Sequence, residues 1–99
     1  MNMNALMQQA QRMQKDIEKK QKEIQESEYT GSSQLVDVVI YGNKKVKSIN
    51  FKDIDNFDKE DLEMLEDMIK IAINEAISKV EKDVENKMGA YGKQLGGLF

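Results

Sequence analysis

The sequence predicts an α+β fold in which two long helices and a three-stranded antiparallel sheet form a two-layer homodimer. Three observations predict it: the chain opens with an uninterrupted helix-forming segment, continues with a β-branched hairpin, and then has a long amphipathic segment at 62–84. The 99 residues suit one domain, which we assign to residues 1–88. A Gly-rich tail at 89–99 is expected to be flexible.

The first helix is predicted to run from Asn2 to about Ser27, because this segment lacks Gly and Pro and is rich in Met, Gln, Lys and Glu. A helix of about 25 residues is nearly 40 Å long, more than a sheet made from the remaining residues covers. We therefore expect part of it to meet another chain or to project into solvent. Its apolar residues alternate at spacings of three and four, in a heptad seam that Lys20 interrupts: Met3, Leu6, Ala10, Met13, Ile17 and Ile24.

The sheet is predicted from the middle of the chain. A short strand or turn at 28–31 precedes the β-branched segment LVDVVIY at 35–41. Both faces of this second segment are largely apolar, and Asp37 is its one poorly suited residue.

The return strand is predicted at 44–51, after a two-residue hairpin loop. Gly42 and Asn43 suit that loop because both tolerate positive φ. The apolar alternation slips near Lys47, which indicates a β-bulge or an edge strand.

The second helix has clear start and stop signals. Asp58 is a good N-cap, Asp61 stands at the capping-box position, and Gly89 is a plausible C-terminal stop. Ala72 and Ala76 lie at the centre of the apolar stripe, where their small size lets another backbone approach. The stripe consists of Leu62, Leu65, Met68, Ile69, Ala72, Ile73, Ala76, Ile77, Val80 and Val84.

Composition argues against several classes of function. The chain has no Cys, His or Pro, which excludes disulfides, thiol chemistry and imidazole catalysis or ligation. It has neither a nucleophile elbow nor a dinucleotide-binding fingerprint, and its acidic segment at 53–67 suits a helix start better than a calcium loop. We therefore predict no enzymatic activity, no cofactor, no metal and no small-molecule substrate. Without a signal peptide or a membrane-length apolar segment, a cytoplasmic location is expected.

The net charge of −3 hides an asymmetry along the chain. Residues 1–52 carry nine basic and six acidic residues, and residues 53–99 carry six basic and twelve acidic ones. On the first helix, basic residues recur at spacings of three and four on the face opposite the seam, where they could meet phosphates: Arg12, Lys15, Lys19 and Lys22. Lys79 and Lys82 repeat this late in the second helix. The residues alone favour the simpler interpretation, a solvated face with Asp16, Glu18 and Glu23 as ion-pair partners.

Three segments resemble the YbaB/EbfC family of bacterial nucleoid-associated proteins: LMQQAQRMQKDIEKKQKEI, LVDVVIYGNKKVKSINF and LEDMIKIAINEAISKVEKDVENKMG. The resemblance extends over nearly the whole chain, in order. It implies a tweezer-shaped homodimer that binds double-stranded DNA in the nucleoid with little sequence preference. Because the net charge is negative, binding would rest on a local basic face formed by Arg12, Lys15, Lys19, Lys22, Lys79, Lys82 and Lys87.

A second hypothesis is a dimeric protein-interaction scaffold that does not bind DNA. The Met-rich seams and the acidic start of the second helix would recruit other proteins. The acidic second half of the chain favours this hypothesis, whereas the basic stripe and the family resemblance favour DNA binding.

Overall fold

The computed structural model describes residues 2–89. Most of the predicted flexible tail, residues 90–99, lies outside this range. The fold is α+β, as the sequence predicts: two long helices, three strands and a 3-10 turn. In chain order the elements are α1 (Met3–Glu26), β1 (Glu28–Ser32), β2 (Val36–Tyr41), β3 (Val46–Phe51), the 3-10 turn (Lys59–Asp61) and α2 (Leu62–Met88).

Helix α1 packs on the rest of the molecule only near its C-terminal end. Ile24 is fully buried and Ile17 packs against the core, whereas residues 2–16 are all exposed. Asn2 caps the start by accepting a hydrogen bond from the Asn4 amide at 3.0 Å. The exposed part is the stretch that was predicted to project or to meet another chain.

The sheet is antiparallel throughout, in the order β1-β2-β3. Val36, Val38 and Ile40 are buried on the face that α2 covers. The opposite face is open, and Asp37 lies there in an ion pair with Lys52 at 3.2 Å. A hydrogen bond from Ser32 and this pairing lower the pKa of Asp37, so the carboxylate on β2 is well accommodated.

The predicted two-residue hairpin loop is wrong. The Lys44 amide donates to the Tyr41 carbonyl at 2.8 Å and the Tyr41 amide donates to the Lys45 carbonyl at 2.9 Å, so the loop has three residues. The residue with positive φ is Lys44, at 69°, rather than Gly42 or Asn43. Asn43 stabilises the turn through its side-chain oxygen, which accepts from the Lys45 amide at 3.0 Å.

The predicted irregularity near Lys47 is confirmed. The pairing register between β2 and β3 shifts between Val39 and Ile40. Beyond the shift Val46 pairs with Ile40, so Val46 comes to the same face as Ile49, which pairs with Val38. The bulge therefore corrects the slip in apolar alternation and gathers the apolar residues of β3 on one face.

Helix α2 begins where the sequence predicts. Asp58 and Asp61 form a reciprocal capping box around the 3-10 turn, with the Asp58 amide donating to the Asp61 carboxylate at 3.1 Å. Gly89 follows the last helical residue with a φ of 52°.

Helix α2 lies across β1 and β2, and its centre touches β1 backbone to backbone. A Cβ atom added at Gly31 would lie 1.8 Å from the Ala72 carbonyl oxygen and 2.6 Å from the Ala76 amide nitrogen. Ala72 and Ala76 are fully buried at this point. The predicted close approach of a backbone to these two alanines is confirmed.

A second glycine allows the end of α1 to approach the sheet. A Cβ atom at Gly42 would lie 1.8 Å from the Ile24 carbonyl oxygen, and the Gly42 amide donates to the Ser27 carbonyl at 3.0 Å. Gly42 is therefore required for this contact rather than for positive φ.

We expect Gly31→Ala to destabilise the protein by at least about 2 kcal/mol, because the added methyl group must push α2 away from β1. Gln34→Ala, at an exposed position between β1 and β2, is the control and should change stability by less than about 0.5 kcal/mol. Chemical denaturation measures both. An unchanged midpoint for Gly31→Ala would contradict the close packing.

Candidate nucleic-acid interface

The basic stripe of α1, defined as Arg12, Lys15, Lys19 and Lys22, lies on one exposed face of the helix. It spans eleven residues, from 12 to 22, or about 15 Å along the helix axis. Within residues 2–89, none of its four side chains makes an ion pair. All four cationic groups are thus available to a ligand.

The acidic neighbours of the stripe do not neutralise it. Asp16 pairs with Lys20 at 3.2 Å, and Lys20 lies on the seam rather than on the stripe. Glu18 accepts a hydrogen bond from Gln14 at 3.4 Å. The side-chain contacts of the described residues therefore do not support the interpretation that the stripe is paired with its acidic neighbours.

Lys79, in contrast, is held by groups within the protein. Its ammonium donates to the Thr30 carbonyl of β1 at 2.6 Å and lies 3.5 Å from the Glu75 carboxylate. Both contacts reduce its availability to an external phosphate. Lys79 connects α2 to the outer side of β1.

Lys87 is held by Asp83, a carboxylate of the same helix that also connects α2 to β1. Its ammonium lies 3.0 Å from the Asp83 carboxylate, which also accepts a hydrogen bond from the Tyr29 hydroxyl at 2.5 Å. Burial and the hydrogen bond to Asp83 raise the pKa of Tyr29, so the hydroxyl stays protonated as a donor. Burial would raise the pKa of Asp83, but the hydrogen bonds from Tyr29 and Lys87 outweigh it and lower that pKa.

Lys82 resembles the stripe rather than its two neighbours on α2. It is exposed and has no ion pair among the residues that the structure describes. The seven predicted residues thus divide into five exposed cations without an ion pair and two, Lys79 and Lys87, that are engaged by groups of the protein. In the described part of the chain, no hydrogen bond or ion pair joins the α1 group to the α2 group.

The open face of the sheet offers less positive charge than its lysines suggest. Lys47 pairs with Glu28 across the sheet, and this contact raises the pKa of Lys47. Lys52 pairs with Asp37 and also donates to the Ser33 carbonyl at 3.1 Å. Two of the basic residues of the sheet are therefore matched by carboxylates on the same surface.

Other kinds of site have little support in residues 2–89. No group of three potential ligands there could hold a metal ion. No described helix is long and apolar enough to span a membrane.

The sequence profile of the YbaB/EbfC DNA-binding family matches residues 1–95 of this chain. The chain belongs to this family. It is 43% identical to a nucleoid-associated protein of Streptococcus suis (strain 05ZYH33) over 97 residues, which cover 96% of this chain and 97% of the relative. A nucleoid-associated protein of Streptococcus agalactiae (strain NEM316) is 42% identical over the same shares of the two chains. One of Enterococcus faecalis (strain V583) is 38% identical, over 98% of this chain and 94% of the relative.

In this YbaB/EbfC chain, sequence reasoning missed Tyr29, Thr30 and Asp83, which determine how Lys79 and Lys87 are held. The i,i+4 spacing of Asp83 and Lys87 could have indicated their ion pair. Tyr29 lies 54 residues away from Asp83 in the chain, and no local pattern predicts that contact.

We expect Asp83→Asn to lower stability by about 1–2 kcal/mol at pH 7, because it weakens the bonds to Tyr29 and Lys87. The pKa of Asp83 is lowered in the folded state, so its contribution is complete above the unfolded value of about 3.9 and disappears as pH falls through the folded value. The stability difference between wild type and variant should therefore shrink below about pH 4. Denaturation at several pH values measures it.

Glu85→Gln is the control for this pH series. Glu85 is exposed and has no ion pair in the part of the chain that the structure describes, so its removal should leave the pH dependence unchanged. An equal pH-dependent loss in both variants would contradict the role of Asp83.

Proposed function

We propose that this protein binds double-stranded DNA as a homodimer, with little sequence preference, and that it acts in the nucleoid on DNA organisation and gene expression. Membership of the YbaB/EbfC DNA-binding family supports DNA as the ligand. The single observation that carries the proposal is the basic stripe of α1, whose four cations are exposed and have no ion pair within residues 2–89. The proposed role is binding rather than catalysis, and it needs no cofactor.

Lys82 is a further proposed contact, and Lys79 and Lys87 are secondary ones. The last two are already engaged within the protein, so a phosphate would have to compete with Thr30 or Asp83 for them. Affinity is then expected to depend chiefly on Arg12, Lys15, Lys19 and Lys22. The negative net charge of the chain matters less than this local field.

Little sequence preference follows from the chemistry of the stripe. Three of its four residues are lysines, which bind phosphate as point charges and do not read base edges with paired hydrogen bonds. The stripe lacks the set of Asn, Gln and Arg side chains that a recognition helix uses in the major groove.

The interaction-scaffold alternative depends on the Met-rich seams and on the acidic start of α2. Two of those carboxylates, Asp58 and Asp61, accept backbone hydrogen bonds at the 3-10 turn. Helix capping accounts for this pair without a protein partner.

We assign the homodimer contact to the apolar face of β3. Val46, Ile49 and Phe51 lie on the face that α2 covers over β1 and β2, yet they remain 49%, 45% and 40% exposed. An uncovered apolar strip of this kind marks an interaction surface. Nothing in the described chain covers it, so a second copy is the proposed partner.

Helix α2 adds to the same surface. Lys79 and Asp83 reach β1, so the opposite flank of the helix, which carries Ile73 and Ile77, lies toward β3. These two residues are only partly buried. The β3 strip and this flank together form an apolar surface suited to a two-fold contact with an identical surface.

The DNA proposal predicts that changing Lys15 and Lys19 together to Glu weakens binding roughly 10- to 100-fold at low salt. The weakening should be similar for duplexes of any sequence. The slope of the logarithm of the binding constant against the logarithm of the salt concentration should become less negative by about 0.9 for each phosphate that the variant no longer neutralises. Fluorescence anisotropy over a salt series measures both. The melting midpoint should hardly change, because both residues are exposed.

The control for this prediction is the hairpin pair Lys44→Glu and Lys45→Glu, which makes the same change in charge. It should weaken binding less than the α1 pair. If the hairpin pair had the larger effect, the DNA would lie against the sheet edge and the proposed site would be wrong.

The dimer proposal predicts that Ile49→Glu gives a folded monomer, because it places a carboxylate in the β3 strip of both copies. Ser48→Glu is the matched control, since Ser48 pairs with Val39 and faces the open side of the sheet. Sedimentation at micromolar concentration should find the wild type and Ser48→Glu dimeric. A dimeric Ile49→Glu variant would exclude this interface.

A further inference from the structure

The tip of α1, defined as residues 3–13, presents an apolar seam that nothing in the described chain covers. Met3, Leu6 and Met13 on this seam are 75%, 44% and 42% exposed, and Ala10 is exposed between them. The core begins to cover the seam only at Ile17. The tip therefore continues the heptad pattern of α1 for several turns without a partner.

A sharp change in charge marks the end of the tip. Residues 2–11 contain no charged side chain, whereas nine of the fifteen residues from 12 to 26 are charged. The seam of the tip offers nothing to phosphate, and the basic stripe begins at Arg12, on the opposite face of the last turn of the tip. DNA bound along the stripe would leave the tip accessible.

A second copy of the same tip is the occupant that fits this surface. In an antiparallel pair of heptad helices, a residue at heptad position a of one helix packs in the same layer as a residue at position d of the other. That arrangement places Leu6 against Ala10 of the second copy and Met3 against Met13, so a large side chain faces a small one in the central layers. A parallel pair would set Ala10 against Ala10 and leave a gap there. The seam residues of the tip carry no charge, so two seams also meet without repulsion.

The contact is too short to hold two free molecules together strongly. Eleven residues make a helix of about 15 Å, which buries much less than the roughly 1,200 Å² of a stable interface. It becomes effective when several copies are held close together, because a second contact between linked partners forms at high effective concentration. Dimers lined up on DNA meet that condition.

We propose that the α1 tip is a self-association surface through which dimers bound to two DNA duplexes join in antiparallel fashion and bridge the duplexes. This inference rests on the proposed DNA-binding function. It uses a surface separate from both the basic stripe and the β3 strip, so DNA binding, dimerisation and bridging can be tested separately.

The test uses two duplexes, one immobilised and one fluorescently labelled, which are captured together only if the protein bridges them. Ala10→Glu puts a carboxylate in the central layers of the paired tips and should reduce capture roughly tenfold or more. Ala5→Glu is the matched control, because Ala5 is exposed on the same tip but lies off the seam. Both variants add the same charge and keep the four cations of the stripe, so capture is compared at protein concentrations that saturate a single duplex for each variant.

Three results would overturn the proposal: a wild type that binds duplexes without bridging them, equal capture by the two variants, or conversion of Ala10→Glu to a monomer. The last would mean that the tips form the dimer itself. If the protein bound no single duplex, the proposed function would be contradicted instead. Self-association of the tip would then be tested by crosslinking without DNA.

The crosslinking experiment exploits the absence of native cysteine. A variant with both Leu6→Cys and Ala10→Cys should form disulfide-linked species larger than the dimer at high protein concentration, because these positions face each other in the antiparallel register. Ala10→Cys alone should crosslink much less. Equal crosslinking by the single and double variants would exclude that register.

Discussion

The backbone contact between Gly31 and α2 is the constraint on which the rest of the structure depends. Because the Gly31 backbone lies against the Ala72 carbonyl and the Ala76 amide, α2 is seated over β1 and β2 rather than over the middle of the sheet. The bonds of Tyr29 to Asp83 and of Thr30 to Lys79 fix the helix on the same side. The offset leaves β3 uncovered, and the exposed apolar strip is its direct result.

The distribution of ion pairs explains how a chain with a net charge of −3 keeps a positive surface. Several of its acidic residues are engaged with particular partners: Glu28 and Asp37 bind the sheet lysines, Asp58 and Asp61 cap a helix start, and Asp83 holds Lys87. Asp16 pairs with a lysine on the seam rather than with the stripe on α1. Local pairing, and not the total charge, determines what each face can bind.

Local patterns predict the elements of this fold well, and contacts between distant residues much less well. The seam of α1, the stop at Gly89 and the small alanines of α2 follow from periodicity and residue size, and all agree with the structure. The predicted two-residue hairpin loop is wrong because Gly42 is needed for the close approach of α1 to the sheet and not for a positive φ angle. The basic stripe can be read from spacing, whereas the contacts of Lys79 with Thr30 and of Asp83 with Tyr29 join residues about fifty positions apart in the chain.

The bond from Lys79 to β1 has a consequence for the edges of the sheet. Along the β1–β2 ladder, residue pairs joined by backbone hydrogen bonds, such as Ser27–Gly42 and Ser33–Val36, alternate with pairs that are not. Thr30 and Val39 form a pair without such bonds, so the Thr30 carbonyl points away from β2. That outward carbonyl is occupied by the Lys79 ammonium. A sheet with two available edges can add strands from either side and grow into a continuous ribbon of molecules, whereas one with a blocked edge can join only once. A strand added at the β1 edge would need the Thr30 carbonyl, so Lys79 disfavours strand-to-strand association through that edge.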